Sequence, residues 1–301
     1  MRIFISIAAA ASLVLSITPA QARKSLVLQS SSPWVVNYAE DSCRLIRTFG
    51  KGEDEMRLEF RMFVPGDSFW LVASGKPVGP TPTGTVKLGY RFDPDDEDVQ
   101  GGFALRGKLG ASKPAVMFPA SLFTASVQAA RMKAFKEDLH TFSRLRDDFD
   151  PKREAQVDEL EINIGHRPRI AFEIGTMLPP MNAMRNCLDN LLDSWGIDAK
   201  VQKSLTRPPV PTNNPAKWIT TNDYPKRMLR EGLSDQVDFR LTIDATGKPT
   251  DCSVLTMEAR PEFIKVTCDK LMQRARFEPA LDAKGKPVAS LYVSSVVWVI
   301  H

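Results

Sequence analysis

The sequence is poor in the side chains on which most enzyme sites depend. It has only three histidines, His140, His166 and His301, and their spacing fits no metal-ligand pattern with each other or with the four cysteines. It contains no Gly-x-Ser-x-Gly, no His-Glu-x-x-His, no phosphate-binding loop and no dinucleotide fingerprint. These absences argue against the common hydrolase, metalloprotease and nucleotide-binding classes. We therefore expect no catalytic residue, no metal site and no cofactor, and we expect the protein not to be an enzyme.

Charge of one sign and long apolar runs are also scarce. The chain has 40 basic and 36 acidic residues, a formal charge of +4, and no basic cluster. This balance argues against nucleic acid as a partner. After residue 22 no stretch is apolar enough to cross a bilayer, so we expect no integral membrane span in the mature chain.

The first 22 residues have the pattern of a signal peptide. Met1-Arg2 is positively charged, residues 3–17 are apolar, and Ala20-Gln21-Ala22 is typical of a cleavage site. The apolar run is shorter than the ~20 residues that a membrane span needs. We therefore expect an exported protein, and an uncleaved N-terminal anchor is the alternative.

The cysteine count is even, which in an exported chain indicates disulfides. Cys252 lies on a predicted strand and Cys268 on a helix predicted to cover it, so these two are expected to pair. Cys43 and Cys187 would then join the start and the end of the N-terminal domain. Loop-closure entropy gives about 3 kcal/mol for the first bridge and about 4–5 kcal/mol for the second.

Residues 23–197 are predicted to form a mainly antiparallel β domain with a C-terminal helix. Residues 56–62 alternate between apolar and charged side chains, as a half-buried strand does, and several similar runs are separated by turn residues. Met181, Met184, Leu188, Leu191 and Trp195 follow at helical spacing, which predicts a helix packed on the sheet. Residues 198–222 are rich in proline and polar residues, which predicts a linker.

Residues 223–301 are predicted to fold as a small domain with two helices and three antiparallel strands. A short helix after Pro225 is followed by two strands joined by a turn at Gly247, a helix that begins near Pro261, and a long final strand. The whole chain is therefore expected to be of the α+β class.

The residues of this last segment resemble the C-terminal domain of the TonB family. The resemblance covers the last quarter of the chain and rests on four motifs: Tyr224-Pro225, Ile243-Asp244-x-x-Gly247, Arg274-x-Arg276-Phe277-x-Pro279-Ala280 and Gly285-x-Pro287-Val288. Pieces around Trp34, Cys43 and Cys187 are similar to an N-terminal region found ahead of such domains in some exported bacterial proteins, and this second similarity carries over no function.

The resemblance implies a periplasmic interaction protein of the bacterial envelope. The family's domain binds a peptide of outer-membrane receptors by strand pairing along its last strand, which is β-augmentation in physical terms. It implies a partner-binding role for the strand that contains Ser290, Tyr292, Ser294 and Val296, and possible links to TonB-dependent transport across membranes. An exposed last strand is also expected to allow a homodimer.

Two alternatives remain open. One is a membrane-anchored energy transducer with an uncleaved N-terminus. TonB transducers couple to their motor partners through an N-terminal membrane helix that uses a Ser/His pair, whereas the first 22 residues here contain no histidine. Transducers also have a long proline-rich stretch, whereas the roughly 25 linker residues here reach only about 75–80 Å when extended. The other is an envelope enzyme or small-ligand binder with its site in the N-terminal domain.

Overall fold

The computed structural model describes residues 25–80, 84–93, 99–110, 113–137, 149–255 and 259–300. The predicted signal peptide lies outside the described residues, as do His140 and His301. The described residues form a mixed α+β fold, with a large curled β-sheet in the N-terminal part and small antiparallel sheets in the C-terminal part. This confirms the predicted fold class.

Ten strands make up the N-terminal sheet. They are β1 (Leu26–Gln29), β2 (Val35–Tyr38), β3 (Cys43–Phe49), β4 (Met56–Met62), β5 (Ser68–Gly75), β6 (Gly84–Arg91), β7 (Gln100–Leu109), β8 (Lys113–Ser121), β9 (Glu159–Ile164) and β10 (Ile170–Glu173). Their order across the sheet is β1–β10–β9–β6–β7–β8–β5–β4–β3–β2, and β1 runs parallel to β10 while the other pairs are antiparallel.

The sheet curls until its first strand reaches its last ones. The amide of Ser31 donates to the Thr48 carbonyl, and the amide of Gly50 donates to the Gln29 carbonyl, both at 2.9 Å. Alternate side chains of the strands, such as Leu58 on β4, are fully buried and fill the interior. The period-two alternation of the sequence therefore describes the inside and the outside of this curled sheet.

Helices α1 (Ala125–Glu137), α2 (Pro151–Gln156), α3 (Leu178–Ser194) and α4 (Ala199–Lys203) accompany the sheet. The predicted apolar stripe of α3 is buried: Met181, Met184, Leu188 and Leu191 belong to the core of the N-terminal part. The predicted disulfide between Cys43 and Cys187 is present and joins β3 to α3, with a sequence separation of 144.

The C-terminal part contains a three-stranded antiparallel sheet in the order β13–β12–β17. The helices and strands from residue 226 onward are α5 (Lys226–Arg230), β12 (Asp235–Ile243), β13 (Pro249–Val254), α6 (Pro261–Arg274), β14 (Phe277–Glu278), β15 (Ala280–Leu281), β16 (Pro287–Val288) and β17 (Ser290–Trp298). Helix α6 covers one face of the sheet, and the predicted disulfide between Cys252 and Cys268 joins β13 to this helix.

The predicted linker is not an extended tether in the structure. Its residues Val210–Pro211 form β11, which pairs with β14. Trp218 is only 3% exposed and packs against Phe277, with the two ring centroids 5.4 Å apart. The proline content alone did not indicate this, because the segment is held by one large apolar side chain and by backbone hydrogen bonds to residues 276–281. The predicted domain boundaries stay predictions.

Candidate functional site

The final strand β17 lies at an edge of the C-terminal sheet. It pairs with β12 along its whole length, from Ser290 opposite Ile243 to Trp298 opposite Asp235. In the described part of the chain, the sheet has no strand on the other side of β17. The backbone groups on that side face away from the sheet, as strand addition requires.

The register shows which residues of β17 face the open side. The Leu255 amide donates to the Asp238 carbonyl at 2.8 Å, so the backbone groups of Asp238 point toward β13. Because this direction alternates along an antiparallel strand, those of Phe239 point toward β17 and its partner Ser294. The backbone groups that face outward are therefore those of the odd-numbered residues Leu291, Val293, Ser295 and Val297.

The residues named from the sequence for strand pairing are not the ones whose backbone groups face the open side. The backbone groups of Ser290, Tyr292, Ser294 and Val296 point to β12, and their side chains lie on the same face as the buried residues of β12. Tyr292, for example, contacts Phe277, with the ring centroids 4.8 Å apart. The sequence predicted the strand but gave no information on which alternate set faces outward. That β17 binds a partner stays a prediction.

A groove of about 320 Å³ lies beside the open edge of β17. One wall is β17 and the residues after it, from Ser294 to Val299, and the other is formed by residues 215–224. This second wall includes the aromatic side chains Trp218 and Tyr224 together with Ile219. The groove is therefore largely apolar, and it runs along the part of the edge where backbone groups are available.

The two aromatic side chains of the second wall are held rigidly. The Trp218 Nε1–H donates to Asn213 Oδ1 at 2.7 Å, and the Tyr224 hydroxyl donates to the Leu233 carbonyl at 2.6 Å. The Tyr224 ring also packs edge-on against Trp298, with the centroids 5.4 Å apart. Sequence analysis identified Tyr224 through its motif and missed Trp218, whose only signal was a tryptophan within a proline-rich stretch.

A partly buried ion pair fixes the end of the groove wall. Arg274 at the end of α6 donates to both carboxylate oxygens of Asp223, at 2.6 and 3.0 Å. The backbone amide of Thr220 donates to the same carboxylate at 2.9 Å. The hydrogen bond from Arg274 holds the pKa of Asp223 well below its usual range, although burial acts in the opposite direction. Asp223 is therefore ionised at neutral pH.

The end of β17 and the residues after it carry exposed apolar side chains. Val297 is 59% exposed, Val299 45% and Ile300 42%. An exposed apolar cluster next to an open strand edge is typical of an interaction surface.

A second cavity lies in the N-terminal part, outside the curled sheet. It has a volume of about 280 Å³ and lies between the β4–β5 turn and helices α2, α3 and α4. Its lining combines apolar side chains such as Met181 and Leu188 with the ion pair between Arg185 and Glu154, whose atoms are 2.7 and 2.8 Å apart. The described residues contain no cluster of three or more His, Cys, Asp or Glu side chains that would hold a metal.

Comparison with known families assigns the C-terminal part. Residues 220–300 match the family model described as Gram-negative bacterial TonB protein C-terminal. The chain thus carries a TonB C-terminal domain, as the sequence motifs indicated. A search of curated proteins gives no match to the chain.

The match describes residues 220–300 at the level of the family. TonB C-terminal domains are Gram-negative envelope domains involved in receptor interaction and transport. None of the helices in the described ranges is long and apolar enough to span a bilayer.

Proposed function

We propose that this chain is an exported periplasmic protein that binds an extended segment of an outer-membrane receptor, or of another envelope protein, by strand pairing on β17. The binding would serve TonB-dependent transport, and no catalysis is proposed. The observation that carries the proposal is the open edge of β17 beside an apolar groove. A sheet edge is a liability for aggregation unless it is covered or used.

The groove indicates the chemistry of the partner segment. A strand added to β17 directs alternate side chains to the two faces of the sheet. On one face they would meet Trp218 and Ile219 in the groove, and on the other they would meet the exposed Val297. We therefore expect an extended segment with apolar side chains on both faces and without proline at the positions that donate to β17.

Photo-crosslinking in cells tests where the partner binds. A photoreactive residue at Val297, which is exposed, should capture an envelope protein, and mass spectrometry should locate the link in an extended segment of that protein. The same residue at Thr250, which is exposed on the opposite edge strand β13, is the control and should not capture it. A link to this chain's own β17 would indicate a homodimer instead.

Proline substitution tests whether backbone pairing is the cause. Ser295→Pro removes an outward amide and leaves the bonds to β12 in place, because Ser295 faces the open side; proline is tolerated in this way on edge strands. We expect it to reduce capture from position 297 by up to about tenfold, because a backbone hydrogen bond contributes about 0.5–1.5 kcal/mol net and about 1.4 kcal/mol corresponds to a factor of ten in affinity. Ser295→Ala keeps the amide and should capture normally. Undiminished capture by a folded Ser295→Pro protein would rule out strand pairing.

The proposal includes removal of residues 1–22. Intact mass of the protein extracted from the envelope decides this point, since cleavage leaves a chain that begins at Arg23. Retention of these residues would instead support the membrane-anchored transducer.

A second candidate function is small-ligand binding in the N-terminal part. The observation in its favour is the cavity of about 280 Å³, which is close to the lower limit for ligand pockets and largely apolar. Native mass spectrometry of the envelope-extracted protein tests it. A bound amphiphile that is lost in a Leu188→Lys variant, with the fold retained, would support this function, and a protein without adduct would contradict it.

A further inference from the structure

The N-terminal part contacts the outer face of the C-terminal sheet through a stacked pair. Arg240 on β12 places its guanidinium carbon 3.3 Å from the centre of the Trp195 ring, just past the end of α3. Arg240 is only 3% exposed. Its Nη2 donates to the Ser253 hydroxyl at 2.7 Å, and Asp251 lies 3.6 Å away. A cation on an aromatic face in a buried setting is an attractive contact.

The same interface covers the beginning of β17. The side chain of Leu291 packs on a cluster formed by Leu192, Ile197 and Ala199. Next to it, the Gln202 amide and the Ser290 hydroxyl exchange two hydrogen bonds of 2.9 and 3.0 Å. Ser290 is fully buried by these contacts. The open groove, in contrast, begins only at Ser294.

We propose that this interface is an autoinhibitory contact, which limits the outward positions of β17 that are available for pairing to Ser295 and Val297. The inference rests on the function proposed above. When the N-terminal part undocks, Leu291 and Val293 join the outward edge. A partner segment then has four pairing positions instead of two, so docking sets how firmly it is held.

The chemistry of Arg240 favours a contact that opens. Its Nε and Nη1 are buried and have no hydrogen-bond partner in the described part of the protein. Burial lowers the pKa of this guanidinium, which means that the charged form loses solvation in the docked state. Buried donors without acceptors oppose the docked state, whereas undocking returns them to water. The stack on Trp195 therefore stabilises the docked state, whereas the buried nitrogens of Arg240 that lack acceptors destabilise it.

Hydrogen exchange of the full mature chain, resolved by residue with NMR and without any partner, tests the proposal. We expect docking to shield the outward amides of Leu291 and Val293, so in the wild type these should exchange slowly, whereas those of Ser295 and Val297 should exchange fast. Gln202→Ala, which removes both hydrogen bonds to Ser290 without altering an apolar core, should speed exchange at Leu291 and Val293 by about tenfold. Trp195→Ala, which removes the stack, should have a larger effect.

The amides of Tyr292 and Ser294 are internal controls, because they point to β12 and report opening of the sheet itself. They should keep their wild-type rates in both variants. Unchanged exchange at Leu291 and Val293 in a folded Gln202→Ala protein would overturn the proposal, and so would equal acceleration at Tyr292 and Ser294. Because no partner is present, the result does not depend on whether β17 binds one, and crosslinking from position 297 judges that separately.

Discussion

Arg274 holds Asp223 with two guanidinium nitrogens, 2.6 and 3.0 Å from the carboxylate oxygens. Asp223 directly precedes the Tyr224-Pro225 motif, and Arg274 is the first residue of the Arg-x-Arg-Phe motif. Two motifs that are far apart in the sequence thus meet in one ion pair. The pair ties the groove wall to the end of α6, so it positions the side chains that we propose to contact a partner.

Loss of this carboxylate should destabilise the C-terminal part. Asp223→Asn replaces the two charged acceptor oxygens with one uncharged acceptor and a donor NH2 that cannot accept from Arg274, and we expect the free energy of unfolding to fall by about 2 kcal/mol. Urea unfolding at pH 7 measures it. Asp269→Asn is the control, because Asp269 pairs with Lys265 on the exposed face of α6, and such pairs contribute less than about 0.5 kcal/mol. Equal effects of the two substitutions would contradict the assigned role of Asp223.

The contribution of Asp223 should also depend on pH. Its pKa is lowered in the folded protein, whereas an unfolded aspartate titrates near pH 3.9. The folded state therefore binds this proton less readily than the unfolded state. The stabilisation is fully present above about pH 4 and is lost as the pH falls further, toward the folded pKa. We expect the stability difference between wild type and Asp223→Asn to be constant from pH 7 to 5 and to shrink at pH 3. A difference that does not change with acid would contradict this.

A similar turn sequence occurs twice in the C-terminal part, at residues 244–249 and 282–287. The structure shows the same backbone hydrogen bond in both turns. In the first, the Gly247 amide donates to the Asp244 carbonyl; in the second, the Gly285 amide donates to the Asp282 carbonyl, both at 3.0 Å. Both glycines have a positive φ, of +83° and +75°. Local turn chemistry of this kind is readable from the sequence, because it involves neighbours along the chain.

The surroundings of the two glycines differ, which gives a matched pair of substitutions. A Cβ on Gly247 would lie 1.9 Å from the Phe277 carbonyl oxygen, whereas a Cβ on Gly285 would have no atom within 4 Å. Gly285→Ala should cost about 1 kcal/mol for its positive φ. Gly247→Ala should cost at least about 3 kcal/mol, because the backbone of Phe277 must also move. Thermal unfolding of the two variants measures the difference, and similar melting temperatures would contradict the close approach.

The sequence predicted elements that depend on periodicity, and these are present. The period-two run of β4 and the helical stripe of α3 lie where the apolar spacing placed them. The two disulfides also join the expected cysteines. For β4 and α3 the apolar spacing reflects one face buried against the core, which a single sequence records directly.

Contacts between distant segments were not predictable in the same way. Trp218 is buried by Phe277 and Tyr292, yet its local sequence is typical of a linker. The outward set of β17 residues follows from a hydrogen bond between Leu255 and Asp238, which no periodicity in β17 records. The stack of Arg240 on Trp195 likewise joins the two parts of the chain through polar and aromatic residues that look solvent-exposed in the sequence.

The two disulfides should contribute differently to stability. Cys43 and Cys187 are buried, close a loop of 144 residues and clamp α3 onto the sheet, whereas Cys252 and Cys268 are partly exposed and are separated by 16 residues. Loop-closure entropy predicts losses of about 4–5 and about 3 kcal/mol when each pair is replaced by alanine. Guanidinium unfolding of the two double variants measures both losses.

Differential alkylation adds a check that does not depend on the entropy model. Under mild reduction of the folded protein, the partly exposed bridge between Cys252 and Cys268 should open first, because a reductant must reach one of its sulfur atoms. The bridge between Cys43 and Cys187 should be labelled only when the N-terminal part unfolds. Early labelling of Cys43 in folded protein would mean that α3 leaves the sheet readily. The surface that α3 and the following residues offer to Arg240 and Leu291 would then be mobile too, so the order of labelling also tests whether the docking face is rigid.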